Sequence, residues 1–192
     1  MPFDTKPVIE PGALASVPQP TLRSADGELV LRTPVFDDAQ AVHDAFQDPV
    51  LRYWHIRGMD SLDEARGWIE QARTAWREEK SAQWIVAGAA DDAPLGRMAL
   101  REMNFLDGVA EVAYWVLPGA RGAGVAPRAL DALTDWAFTL GFHRLDLQHS
   151  TRNEPSCRVA LKAGYALEGT RHSSALHTDG WHDMHVHMRL NS

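Results

Sequence analysis

The sequence predicts a single mixed α/β domain, with a central sheet of about seven strands and about four helices in the order β-α-α-β-β-β-α-β-α-β-β. Three observations predict it. Short apolar or alternating runs bounded by turn residues recur along the chain, as in Glu28–Val35 (ELVLRTPV) and Ala82–Ala89 (AQWIVAGA). Between them lie windows whose apolar residues return at helical steps, such as Leu130, Leu133, Trp136, Ala137 and Leu140. One apolar run, Val112–Leu117, ends at Pro118-Gly119 and passes through Gly122 and Gly124 into that window, which reads as strand, glycine loop and helix.

Each element follows from local pattern. Residues 1–20 carry Pro2, Pro7, Pro11, Pro18 and Pro20 without periodicity. They read as a flexible leader, or one laid along the surface, or a strap across a homodimer; the domain proper is 21–192. Glu28–Val35 is the first strand. Asp37 or Asp38 caps a helix with Ala41, Val42, Ala45 and Phe46 on its apolar face, and Asp48-Pro49 breaks it. Val50–Met59 is aromatic and irregular. Ser61 and Glu64 form a capping box for a helix reaching Glu79, with Ala65, Trp68, Ile69, Ala72 and Trp76 inward. Ala82–Ala89 and Pro94–Glu102 are strands joined by Asp91-Asp92-Ala93, and Val109–Leu117 enters the glycine loop. The long helix stops at Gly141. Arg144–Gln148 is a strand, and Asn153 caps a helix from Pro155 to Lys162. Tyr165–Arg171 and Asp183–Leu190 form a final pair joined by SSALHTDGW.

Composition narrows the function classes. The 192 residues suffice for one sizeable core, and a net charge of −7 argues against a nucleic-acid partner while suiting cationic substrates such as amines. The single cysteine, Cys157, excludes an intrachain disulfide and fits a reducing compartment. No apolar run is long enough to span a membrane, and the amino terminus lacks the basic-then-apolar pattern of a secretory signal, so a cytoplasmic location is expected.

The glycine loop has the physics of an anion site. Glycine admits left-handed backbone and close approach of a ligand. The start of the following helix leaves N–H groups unpartnered, with the positive end of the helix dipole behind them, which suits a phosphate. Pro127 sits in the first turn, where its missing N–H costs little, and Arg121 and Arg128 add charge. The loop lacks the Gly-Lys-Ser/Thr ending of a P-loop and the Gly-x-Gly-x-x-Gly of a dinucleotide fold.

Arg121-Gly122-Ala123-Gly124-Val125-Ala126 fits Arg/Gln-x-x-Gly-x-Gly/Ala, and so resembles the acyl-CoA pyrophosphate loop of the GNAT superfamily of N-acetyltransferases. The element order resembles the GNAT fold as well. Asn153-Glu154-Pro155-Ser156, Lys162-Ala163-Gly164-Tyr165, Glu168-Gly169-Thr170-Arg171 and Gly180-Trp181-His182-Asp183, together with Glu111, resemble motifs of the RimJ/RimL-like ribosomal-protein N-terminal acetyltransferases. The resemblance covers roughly residues 21–190. It implies acetyl transfer from acetyl-CoA to a primary amine, either an α-amine of a peptide or protein or a small amine, by direct attack in a ternary complex.

That chemistry needs a neutral amine, a stabilised oxyanion and a proton for the leaving thiolate. The resemblance makes Glu111 the candidate general base. Many relatives carry a tyrosine acid on the helix after Asn153, but Ala160 stands at that position here, so Ser156 inherits the thiol-protonating role. Backbone amides of Val116 and Leu117 are expected to pair with the pantetheine arm, since Pro118 cannot donate, and an amide near Val116 to meet the oxyanion. The pyrophosphate is expected on the amides of Arg121, Gly122, Ala123, Gly124, Val125 and Ala126, with Asn153 bonding the arm from the other side. Each reading has a plainer rival. Glu111 could be an edge carboxylate, Ser156 a first-turn serine bonding backbone, and Asn153 an ordinary cap.

His149 is a second-choice base. Trp54 and His55 are candidates for the acceptor pocket, and Tyr165 is expected in the core. No metal is expected: His182, His185 and His187 lie close together and His185 and His187 share one strand face, but no Cys or His-x-x-x-His partner set is evident, and an isolated pair is an incomplete zinc site. Cys157 reads as packing rather than an acyl-enzyme nucleophile. The competing functions are an acyl-CoA-binding domain without turnover and an acetyltransferase of amino acids or antibiotics.

Overall fold

The computed structural model describes residues 5–191; Pro2 and the rest of residues 1–4 lie outside it. Eight strands form one sheet in the order β1-β2-β3-β4-β5-β6-β8-β7. They are β1 Leu22–Arg23, β2 Leu29–Arg32, β3 Ala82–Gly88, β4 Pro94–Asn104, β5 Val109–Val116, β6 Arg144–Ser150, β7 Ala166–His177 and β8 Gly180–Leu190. The α-helices are α1 Ala39–Ala45, α2 Pro49–His55, α3 Leu62–Arg77, α4 Val125–Leu140 and α5 Glu154–Lys162. Strand and helix numbers thus exceed the expected seven and four by one each. The added strand is the two-residue β1, too short to show periodicity. The added helix is α2, in the stretch read as irregular. Asp48-Pro49 ends one helix and starts the next: the Asp48 carboxylate accepts from Leu51 N at 3.1 Å, and Pro49 takes the first helical position.

Side chains alternate across the sheet and build two cores. Leu29, Leu31, Trp84, Val86, Met98, Leu100, Val112 and Leu147 pack on one face with Leu130 and Leu133 of α4 and Ala160 of α5. Ile85, Ala87 and Trp115 pack on the other with Val42 of α1, Leu51 of α2 and Ile69 of α3. Trp76, Trp84 and Trp136 meet edge-on or tilted in the first core, with centroids 5.2–6.2 Å apart. Tyr165 is fully buried, its hydroxyl 2.6 Å from Thr134 Oγ1.

Two local readings shift. Asp38 does not cap α1: its carboxylate takes Arg32 and the Val35 amide, each at 2.8 Å. In the capping box, Ser61 Oγ accepts from Glu64 N, but Glu64 reaches back to the Asp60 amide instead of Ser61. The final pair also extends through Ser173–Trp181, read as a loop. Its outer strand β7 is almost wholly exposed, so its sequence carries no apolar alternation.

The leader, from residue 5 onward, is laid against the domain. Ile9 and Leu14 are buried, and the Trp76 and Trp84 indoles donate to Val17 O and Pro20 O at 3.0 and 2.9 Å. Glu79 anchors it, with its carboxylate accepting from the amides of Gly12, Leu14 and Ala15 at 2.7, 2.8 and 3.2 Å. Glu79 itself holds left-handed backbone, φ 55°, just past the end of α3. Burial pushes its carboxyl up, but the three donors outweigh this and hold it below the usual carboxylate range. Glu79→Ala is therefore expected to cost about 1–3 kcal/mol and to speed amide exchange in residues 8–17. A depressed folded pKa means this stabilisation is full at neutral pH and fades as pH falls through the folded value. The difference between wild type and variant in denaturant titrations should accordingly shrink on acidification.

Candidate active site

β5 and β6 are the parallel pair of the sheet, and they pair only from Val109↔Arg144 to Val112↔Leu147. Beyond these residues the strands diverge. β5 stays with β4 as far as Val116, and β6 stays with β8 as far as Ser150. Two cavities meet at this opening. The larger, about 450 Å³, runs over Tyr114, Val116, the glycine loop and the faces of α4 and α5. The smaller, about 300 Å³, is walled by Arg97, Arg101, Gln148, His149, Ser150 and His177. Trp54, His55, Tyr114, Asn153 and Ser156 line both.

The glycine loop presents bare donors. Gly122 and Gly124 adopt φ 81° and 72°, and α4 begins at Gly124 with no side-chain cap. Among the described residues, the N–H groups of Gly122, Ala123, Gly124, Val125 and Ala126 have no protein acceptor. Five unpaired amides around a helix start form an anion cradle that fits a diphosphate. Arg121 belongs to it less than expected. Its amide donates to Pro118 O, its guanidinium pairs with Asp48, and its Nε donates to Val116 O at 3.2 Å. It buttresses the loop against α2, and the Arg121 guanidinium keeps the Asp48 carboxyl below its usual range. Arg128 is likewise committed, to Asp26 and Glu28 at 2.8 and 2.7 Å. The cations missed in sequence are Arg158 and Lys162, which line the larger cavity from α5.

Leu117 also departs from expectation, because its amide donates to Leu95 O at 2.8 Å and is spent on β4. Along an extended strand, successive amides point to opposite edges. The Val116 amide therefore faces the opening, where a thioester oxygen or pantetheine amide can accept from it. Gly96 permits this packing, because a Cβ there would collide with Trp115 O.

Asn153 caps α5 through Oδ1, accepting from Ser156 N at 3.2 Å, which leaves its Nδ2 donor for a ligand. Ser156 Oγ lies 2.9 Å from Tyr114 Oη. Tyr114 is thus a functional candidate that sequence reading missed, a phenol supplied from β5 rather than from the helix. Burial pushes it up to about 12, outweighing the Ser156 hydrogen bond, so it keeps its proton.

Glu111 lies on the acceptor-side face but lines neither cavity. Arg101 reaches its Oε1 at 2.5 Å and Gln148 Nε2 its Oε2 at 3.1 Å. Arg101 and Gln148 themselves line the smaller cavity. His149 has its Nδ1 2.8 Å from Ser150 O, and burial, with His187 and His185 adding, lowers it. Burial, followed by the Arg97 and Arg101 charges, brings His55 down to about 4, so it is neutral near pH 7.

Among the described residues the smaller cavity has no carboxylate in its lining, and its fixed charges are Arg97 and Arg101. Net charge, which suits a cationic substrate, says nothing of such a local wall. Arg97 makes no ion pair among the described residues; Gln83 Oε1 accepts its Nε at 2.7 Å and also its Nη2. Burial, with Arg101 adding, lowers it to about 9, still cationic at neutral pH. Ser150 Oγ, His182 Nδ1, His182 Nε2 and Asp179 Oδ1 form a further chain with 2.8 Å links at this end of the sheet. It was not legible because the hairpin was read as a loop.

Gly124→Val tests the cradle. A β-branched residue at this φ is strained by roughly 1–2 kcal/mol or more, while its Cβ meets only Arg128 at 3.9 Å. Acetyl-CoA affinity is expected to fall at least tenfold in calorimetry, with Tm lowered by only about 2–8 °C. Undiminished affinity would contradict the assignment.

Comparison with known proteins agrees with this geometry. The family model described as an acetyltransferase (GNAT) domain matches residues 28–166. An uncharacterized N-acetyltransferase, YoaA of Bacillus subtilis, is 27% identical over 143 residues, covering 73% of this chain and 81% of its own. A spermidine N(1)-acetyltransferase of Vibrio cholerae is 23% identical over 146 residues, covering 75% and 82%. Mycobacterium smegmatis RimJ in complex with CoA-disulfide shares the fold with a TM-score of 0.78 at 23% identity, covering 89% of this chain and 86% of that one. Among the described residues no helix is long and apolar enough to cross a membrane. The chain belongs to the GNAT acetyltransferase family and is an acetyl-CoA-dependent N-acetyltransferase.

Proposed function

We propose that this enzyme acetylates a primary amine whose carrier also presents a carboxylate, by direct attack within a ternary complex. An amino acid, or the amino-terminal residue of an acidic peptide, meets that description. The observation that carries this is Arg97, a half-buried guanidinium without a carboxylate partner among the described residues, in a cavity with no acidic wall. A cation partly desolvated without a counter-charge is costly, and a ligand carboxylate offsets that cost with charge-assisted hydrogen bonds. A polyamine would meet Arg97 and Arg101 as like charges. The spermidine-acetylating relatives therefore do not set the expectation here.

The five residues shared by the cavities mark where the two substrates meet. Acetyl-CoA supplies the acetyl group, with its diphosphate on the amides of Gly122–Ala126 and its arm along Val116 and the Asn153 Nδ2. The Val116 amide receives the developing oxyanion. Ser156, backed by the protonated Tyr114, hands a proton to the departing thiolate. An α-amine titrates near 8, so a usable fraction is already neutral at pH 7, and a modest base suffices. Glu111 fills that role through a water, since Arg101 holds it back from the cavity.

Arg97→Gln tests acceptor class. KM for amines bearing a carboxylate should rise about 10- to 100-fold, the worth of a charge-assisted hydrogen bond, while neutral amines of the same size change little. An equal loss for both, or efficient acetylation of spermidine by the wild type, would overturn the proposal. Glu111→Gln tests the base. Its kcat/KM should fall at least tenfold at pH 6 and approach wild type by pH 9, where the amine loses its proton unaided. A ratio within threefold across that range would remove Glu111 from the mechanism.

A further inference from the structure

Three imidazoles and one thiol meet beneath α5, on the sheet face that carries the α4 core. His149 of β6 is the register partner of His185 on β8, and His187 follows two residues along on the same face, opposite Leu147. Cys157 descends from the first turn of α5. One ligating atom from each of the four lies within 4.8 Å of all the others. The rings crowd one another, with His149–His187 centroids at 5.1 Å and His149–His185 at 5.4 Å.

Hydrogen bonding fixes where the lone pairs go. His149 Nδ1 is 2.8 Å from Ser150 O, and His187 Nδ1 is 3.1 Å from Tyr165 O. A carbonyl can only accept, so each Nδ1 carries the proton and each Nε2 keeps a bare lone pair. His187 Nε2 faces Cys157 Sγ at 3.8 Å. His149 Nε2 and His185 Nδ1 are buried with no hydrogen-bond partner. His149 is only 4% exposed, so solvent does not serve it. Buried polar atoms are nearly always satisfied, and two orphans in one cluster require an explanation. Donating the far ring N–H to a backbone carbonyl is how proteins aim imidazoles at a metal.

We propose that His149, Cys157, His185 and His187 form a transition-metal site, a tetrahedral cage of one thiolate and three imidazoles for which Zn2+ is the best-suited ion. Zinc bonds of about 2.0–2.3 Å require neighbouring ligand atoms some 3.3–3.7 Å apart, so the cage closes by about 1 Å on binding. Mixed thiolate and imidazole donors select borderline ions such as Zn2+ over Mg2+ or Ca2+. As the metal–sulfur bond forms, the Cys157 proton passes to solvent. The ion would tie α5, which carries Ser156 and caps at Asn153, to β6 and β8. It takes no part in acetyl transfer, and the site stands on geometry independent of the catalytic assignments. Histidines 185 and 187 were legible in sequence as an incomplete pair; folding supplies His149 and Cys157.

The test uses full-length, tag-free protein stripped with chelator and titrated with Co2+, then Zn2+. One equivalent of Co2+ should produce the visible bands of tetrahedral cobalt together with a near-ultraviolet thiolate-to-cobalt band, and Zn2+ should abolish both. Zinc at about a hundred times its Kd should raise Tm by about 5–10 °C. Cys157→Ser should lose the near-ultraviolet band and bind at least tenfold more weakly. His185→Gln, at a half-buried position and with the thiolate kept, should also bind at least tenfold more weakly, which preserves the test if the cysteine variant fails to fold. Absence of the thiolate band in wild type, octahedral cobalt spectra, or undiminished affinity in either folded variant would overturn the proposal.

Discussion

The parting of β5 and β6 after Val112 and Leu147 is the constraint on which the rest depends. Had the two strands stayed paired, the Val116 amide would be spent inside the sheet and no passage would connect its faces. Because they part, one strand edge is left with backbone donors and nothing to bond. The elements that follow each strand, the glycine loop into α4 and Asn153 into α5, then border the same opening. The donors on the loop are bare for a related reason. Two left-handed glycines turn the chain so abruptly into α4 that its first amides have no preceding turn to bond.

Charge is distributed to serve that opening. Arg121 and Arg128, the cations nearest the cradle in sequence, are occupied in fastening it, to Asp48 of the α2 cap and to Asp26 and Glu28 beside β2. What the loop leaves free is its backbone dipoles, with Arg158 and Lys162 lining the same cavity. In the smaller cavity the arrangement is the opposite, with Arg97 bonded to Gln83 and to no carboxylate among the described residues, and Arg101 turned partly to Glu111. An acidic protein thus presents a basic wall in its smaller cavity.

Much of this architecture was legible in the residues. The glycine loop and α4 could be read because both of their signals are local: backbone freedom at Gly122 and Gly124, and a helical apolar period with a glycine stop at Gly141. Strand existence followed from alternation wherever one face is buried; at β7, which is almost wholly exposed, only the first half was read as strand. α2 escaped because Asp48-Pro49 is equally good punctuation for an end and for a beginning. Within the site, residues held by local geometry, such as Asn153 as a cap, were accessible. Pairings made by the fold were not. Tyr114 with Ser156, Arg121 with Asp48, and His149 with His185 each join segments far apart in sequence, and no local pattern encodes them. The Leu117 amide shows the same limit, since only strand register decides which edge of β5 an N–H faces.

The most direct measurement of the central claim is residue-resolved amide exchange, by NMR, with and without saturating coenzyme A. The account predicts slowed exchange at Gly122, Ala123, Gly124, Val125, Ala126 and Val116, with little change at Leu117, whose amide is already bonded to β4. Exchange at the loop that is indifferent to the ligand, or no detectable coenzyme A binding at millimolar concentration, would contradict it.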